Sequence, residues 1–208
     1  RKLIKPGIQD LNPFEQWTDS LHVRIGNPKL KPAVENRAEL TYSKNFGNNF
    51  VAPKVYFRYT SNGIHDLSVI TPEGITEIRR DNIGREMEYG LAVNSAVQLF
   101  KIWRVNANAT VFNRQVSSDQ SLSLNEDDQM ISYRFNASSI VMLPKQFMFI
   151  SMANYGSPNI SYQREFSRDL LFLIGFEKKI GENMSLSAFY NPFIRNFTYT
   201  KVITRAPG

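Results

Sequence analysis

The residues in this chain that can do chemistry are few and widely spaced. Asn125-Glu126-Asp127-Asp128 is the densest block of oxygen ligands, and carboxylates grouped in a long polar segment can hold Ca²⁺, although a solvated loop tip needs nothing more. The two histidines, His22 and His65, stand far apart in sequence, and there is no cysteine. A His- or Cys-based metal site therefore has almost no material to draw on. No nucleophile–base pair and no glycine-rich phosphate loop is present. Neither an enzyme nor a cofactor is expected. Asn108, Asn136, Asn159, Asn183 and Asn196 each begin an Asn-x-Ser/Thr triplet, but most lie inside alternating segments and read as by-products of Asn/Ser-rich alternation.

Composition narrows the class further. The formal charge of +6 is carried by scattered Lys and Arg, mild for a nucleic-acid binder. Aromatic and basic residues fall mostly on opposite faces, which does not suit base stacking, so no nucleic-acid partner is expected. The lack of cysteine suits passage through an oxidising periplasm. Mean hydropathy is −0.34, and no apolar run approaches the roughly 18 residues of a membrane-spanning helix. The densest apolar patches, 140–143, 147–150 and 170–174, are strand-sized.

The elements that must position these residues are strands. Val34, Ala38, Leu40, Tyr42 and Phe46 alternate with Glu35, Arg37, Glu39, Thr41 and Ser43. Met87, Tyr89, Leu91, Val93, Val97 and Leu99 alternate with Glu86, Glu88, Asn94 and Gln98. Trp103, Val105, Ala107, Ala109 and Val111 face away from Arg104, Asn106, Asn108, Thr110 and Arg114. Similar alternation runs through 131–143, 170–176 and 184–190. Side chains of a strand point alternately to its two faces, whereas this spacing on a helix would bury nothing. The polar face is rich in Asn, Ser, Thr and Arg, which fits a wet lumen or a solvent-exposed sheet face.

The connections are sorted. Tight turns fall at Gly47–Asn48, Phe100–Lys101, Pro144–Lys145 and Gly181–Glu182, and long polar excursions run through 61–84, 117–128, 156–167 and 192–196. Short connections at one end and long ones at the other are the plan of an outer-membrane β-barrel. The expected fold is all-β, an antiparallel up-and-down meander of about nine or ten strands. On this reading Leu91, Val93, Val97, Val105 and Val111 face lipid, and Asn125, Glu126, Asp127 and Asp128 lie in an outer loop open to ligand. Within 61–84, two short alternating runs flank Pro72-Glu73-Gly74, which predicts an extra hairpin or two strands rising past the membrane.

Residues 1–33 have no sustained period and hold Pro6, Pro13, Pro28 and Pro32. They read as an extended loop on the outer side leading into the strands of 34–208. In Gly26-Asn27-Pro28-Lys29-Leu30-Lys31-Pro32 the prolines fix φ and extend the residues before them. Gly26 permits a sharp bend, and Leu30 is the apolar anchor. This predicts a rigid loop held by one buried side chain. These residues, with Asp10-Leu11-Asn12-Pro13-Phe14 before them and Glu39-Leu40-Thr41-Tyr42 after, resemble the C-terminal barrel of TonB-dependent receptors, in particular the outer membrane protein beta-barrel family common in Bacteroidetes. Phe57-Arg58-Tyr59-Thr60-Ser61-Asn62-Gly63-Ile64, Trp103, Tyr155-Gly156-Ser157-Pro158 and Ser185 to Phe193 are similar to later parts of that pattern, so the resemblance spans essentially the whole chain.

The resemblance implies a bacterial outer-membrane location and part of a plugged, 22-stranded barrel. It also implies import of a large nutrient (a siderophore, vitamin or glycan fragment) powered through the TonB system. The implied partners are outer-membrane lipid, the remainder of the barrel and its plug domain. The family's barrels usually end on an aromatic residue, whereas this sequence ends Ala206-Pro207-Gly208 and shows no plug before residue 1, so the expectation is an internal slice. Two other readings compete: an autonomous small barrel with a structural or adhesive role, and a soluble β-sheet domain that binds a ligand.

Overall fold

Residues 1–117, 127–161, 164–166, 168–181 and 183–191 are described in the computed structural model. β1 (Lys2–Ile4) and one helical turn (Ile8–Leu11) precede β2 (Gln16–Asp19) and β3 (His22–Ile25). Next come β4 (Ala33–Thr41), β5 (Lys44–Phe46) and β6 (Asn49–Ser61), then β7 (Ile64–Ile70) and β8 (Thr76–Asn82). The long strands β9 (Arg85–Leu99), β10 (Trp103–Ser117) and β11 (Asp127–Leu143) follow. β12 (Phe147–Gly156), β13 (Asn159–Ser161), β14 (Arg164–Phe166), β15 (Asp169–Ile180) and β16 (Met184–Tyr190) complete the described chain.

One antiparallel sheet organises the molecule, in the order β1-β4-β6-β9-β10-β11-β12-β15-β16, with β5 also on β6. Apart from the segment before β4 and the insertions at β7–β8 and β13–β14, it is the expected up-and-down meander. β9, β10 and β11 are 15, 15 and 17 residues long, more than the roughly 9–11 a tilted strand needs to cross a bilayer. β4 and β5 are one strand interrupted at Tyr42–Ser43, for Thr41 pairs with Lys54 and Lys44 with Val51 in unbroken register. The cause is Pro53, which accepts a 3.0 Å hydrogen bond from the Tyr42 amide but has no N–H to return one.

The two faces of this sheet meet different surroundings. Leu91 is 60% exposed, Val111 53% and Ile131 69%, while Phe112 on the opposite face is 2% exposed. Toward the long loops a single strand, β10, thus shows its aliphatic Val111 to the outside and buries Phe112 and Val116 on its other side. The whole chain has 14097 Å² of accessible surface, against roughly 9,900 Å² for a monomeric globular protein of its mass. A water-soluble domain would cover such a stripe; an outer-membrane barrel turns it to lipid.

The tight turns are built from left-handed backbone. φ is positive at Gly47, Phe100, Lys101, Lys145, Gln146 and Gly181, as short hairpin loops require. The long connections sit at the other end. The excursion after β6 forms a hairpin, β7–β8, joined to β2 and β3 in a second sheet ordered β2-β3-β8-β7. Residues 1–33 therefore hold more structure than an extended loop: β1 pairs with β4 at the edge of the main sheet, and β3 pairs in parallel with β8. Strands of three and four residues are too short to express a period, and their partners lie far away in sequence, so no local signal marks them. Asn125 and Glu126, and the excursion at 192–196, lie outside the described residues.

Candidate functional site: the polar wall and its mouth

The inward face of β4, β6, β9, β10 and β11 is built in rows, because in-register pairing sets like positions side by side across strands. One row in from the outermost, toward the long loops, Arg58, Glu88 and Arg114 are aligned on three adjacent strands. The Glu88 carboxylate, 6% exposed, accepts hydrogen bonds from Arg58 Nη2 at 2.8 Å, Arg114 Nε at 3.0 Å and Nη2 at 2.6 Å, and the Tyr56 hydroxyl at 3.0 Å. Arg114 also reaches Glu86 at 3.3 Å. A buried carboxylate persists only with such partners.

One row further in, Tyr56, Gly90, Phe112 and Ser132 are aligned. A Cβ on Gly90 would overlap the Val111 carbonyl and the Phe112 backbone, so the glycine is needed for close approach rather than for a turn. The guanidinium carbons of Arg114 and Arg134 lie 5.6 and 5.1 Å from the Phe112 ring centre, within cation–π range. Below these come Lys54, Ala92, Thr110 and Arg134, and then an asparagine row: Asn94, Asn108, Asn136 and Asn154.

The mouth is framed by ordered outer segments. Ser132 Oγ donates to the Pro158 carbonyl at 2.7 Å, and Ser157 Oγ accepts from the Tyr133 amide at 2.8 Å. These bonds fold the 157–161 segment against the polar wall, with Ile160 3% exposed. In the second sheet Arg80 donates to Asp10 at 2.9 Å and to Asp66 at 3.0 Å, and Arg24 lies 3.8 and 3.6 Å from the same two carboxylates. His65, on β7, has its pKa lowered to about 4, chiefly by burial.

The sequence-derived residues fall as follows. Gly26 is not a bend: its φ is not left-handed, and a Cβ there would overlap Asn12 and Asp10 backbone. It lets β3's end lie against the 10–12 segment, its amide donating to the Asn12 carbonyl at 2.8 Å. Asn27 Oδ1 accepts from the Lys29 amide at 2.9 Å, and its Nδ2 reaches Asp81 at 3.3 Å. The Pro28–Pro32 stretch docks on Asn82, which accepts from the Lys31 amide at 2.7 Å and donates to the Lys31 carbonyl at 2.8 Å. Leu30 is buried, and the Pro32 carbonyl accepts from Asn62. Leu91, Val93 and Val111 are exposed on the outward face; Val97 and Val105, paired with each other in register, are half-buried there. Asp127 and Asp128 begin β11 opposite Ser117 and Val116. Among the described residues no cluster of three or more metal-binding side chains occurs.

Sequence reasoning missed the convergence on Glu88. Alternation puts Glu88, Arg58 and Arg114 on polar faces, but only register brings them together. The polar-face expectation also fails beyond β11. Met148, Ile150, Met152, Leu171, Leu173 and Phe189 occupy inward positions beside Asn154, Glu177, Lys179, Ser185 and Ser187, so the inward face is mixed there, and β15 is apolar on both faces over 170–174 as its continuous run already signalled.

A model of the outer membrane protein beta-barrel family matches residues 1–206. No curated protein matches the chain. Among solved structures, the crystal structure of the siderophore receptor PirA from Pseudomonas aeruginosa is similar over 92% of this chain and 34% of that one, with a TM-score of 0.66 and 14% identity. At that identity the likeness shows the fold, and this chain spans about a third of the receptor's length.

Proposed function

This chain belongs to the outer membrane protein beta-barrel family and resides in the bacterial outer membrane, and on that premise we propose that it forms part of the wall of a TonB-dependent receptor that imports a large nutrient, such as a siderophore, vitamin or glycan fragment. Residues 1–33 are the outer-side segment leading into the wall, and 34–208 supply wall strands. The remainder of the barrel and a plug domain complete the transporter. The role is binding and passage, without catalysis.

One observation carries this reading: the same strands present an exposed aliphatic face and, opposite it, in-register rows of charge and amide. That division separates lipid from a wet lumen. The long outer connections gather at one end, where the second sheet and the 157–161 segment frame a mouth. The similarity to the siderophore receptor, of which this chain covers 34%, supports a wall within a larger barrel.

Uptake by cells tests the proposal. A ferric siderophore, cobalamin and a neutral oligosaccharide are supplied to cells carrying the full-length protein. Uptake of one of them should be lost both when the gene is deleted and when TonB is deleted. Uptake that depends on the gene but continues without TonB would overturn the energy coupling.

A further inference from the structure

We propose that the asparagine row on the inward wall is a binding track for a neutral polyhydroxylated ligand, an oligosaccharide. The inference rests on the polar face being the lumen. Asn94, Asn108, Asn136 and Asn154 stand side by side on β9, β10, β11 and β12. With Asn106 and Ser138 in the next row they line an open recess of about 380 Å³, flanked by Phe50 on β6 and Met152 on β12, within the size range of ligand sites.

The chemistry of the recess selects its occupant. No charged side chain lines it; the flanking charges are Lys54 and Arg134, one row toward the mouth, and Arg104, one row beyond Asn106 on the other side. A charged group held within the recess itself would lose water without gaining a charged partner there. Each asparagine amide offers two donors and one twice-accepting oxygen, a match for sugar hydroxyls, which both give and accept. Asn108 Nδ2 donates to Asn94 Oδ1 at 2.6 Å, and Asn106 Nδ2 to Ser138 Oγ at 3.3 Å. Asn136 and Asn154 make no side-chain hydrogen bond among the described residues, so their amides remain available.

Spacing separates a glycan from a polypeptide. Adjacent strands place the amides about 4.8 Å apart, whereas an extended peptide repeats like-facing groups only every two residues, about 6.6 Å. A chain of pyranose rings advances by close to one strand spacing per ring and keeps step with the row. Phe50 supplies an apolar ring against which the C–H face of a sugar can pack.

Full-length protein in detergent, titrated with maltohexaose, cellohexaose and chitohexaose, tests the proposal. Saturable binding of at least one hexasaccharide is expected, weakened at least tenfold by Asn136→Ala combined with Asn154→Ala. Heat-modifiable gel migration reports whether the variant folds; Asn136→Ala alone, at an exposed position, provides a second variant with a smaller loss. Absence of hexasaccharide binding, as when another part of the same polypeptide occupies the row, overturns the proposal, and so does binding that both variants leave unchanged. TonB-dependent uptake without hexasaccharide binding removes this inference alone; hexasaccharide binding without TonB-dependent uptake removes the transport reading alone.

Discussion

Glu88 holds the upper wall together because its carboxylate satisfies two guanidinium groups and a hydroxyl in a place water hardly reaches. Glu88→Ala leaves Arg58 without its counter-charge and Arg114 with Glu86 alone. The expected cost is about 3 kcal/mol, the low end for a broken buried pair because Arg58 keeps some solvent contact. Urea unfolding of the full-length protein in lipid vesicles measures it, and Glu88→Gln should lose less. His65 gives a pH effect in the mouth. Its folded pKa of about 4 lies below the ordinary 6.5, so between those values the unfolded chain binds more protons. The stability His65 permits is whole above about pH 6.5 and is lost as pH falls toward 4. Hydrogen-exchange protection factors at β7 and β8, taken relative to the slower intrinsic exchange in acid, should therefore fall on acidification across that window, and His65→Gln should flatten the response. Sequence alone shows which face Glu88 takes, but not its partners, since Arg58 and Arg114 lie 30 and 26 residues away along the chain.

At the scale of elements, two inward glycines sit directly opposite aromatic residues: Gly90 across from Phe112 and Gly175 across from Phe189. In both pairs the space of the missing side chain is taken by the neighbour, a known compensation for glycine in strands. Gly90→Val should push Phe112 off the wall and cost roughly 1–3 kcal/mol by overpacking; loss of the aromatic near-ultraviolet signal without loss of strand content would register it. Gly47 differs, having open space but φ of +60°. Gly47→Ala should cost about 1–2 kcal/mol through left-handed strain alone, read as a lower urea midpoint with the β spectrum intact. The long strands and tight turns were legible because period two and turn residues are local signals. The Glu88 cluster and the β2–β3 additions to the second sheet were not, because register and distant pairing create them. Gly26 was legible as a special position but for the wrong reason: crowding against Asn12, not bending, requires it.

For the whole molecule, the surplus of accessible surface and the exposed aliphatic stripe describe a sheet that makes sense only against lipid on one side. The rows on the other side then describe a lumen that is charged toward the mouth, amide-rich in the middle of β9 to β12, and charged again beyond it at Arg104, Glu177 and Lys179. Membership of the outer membrane protein beta-barrel family agrees with that division. Because the chain has no cysteine, labels can be placed one at a time, and β9 offers adjacent positions with opposite expectations. Single cysteines at Leu91, Val93, Asn94 and Ala96 in the full-length protein, kept in native outer membrane and treated with a water-soluble maleimide, test the two-faced wall directly. Positions 91 and 93 should be protected from the reagent and accessible to a bilayer-dissolved quencher, while 94 and 96, inward and part-exposed, show the reverse. Equal labelling at all four positions, or the opposite alternation, would contradict the assignment of lipid and lumen.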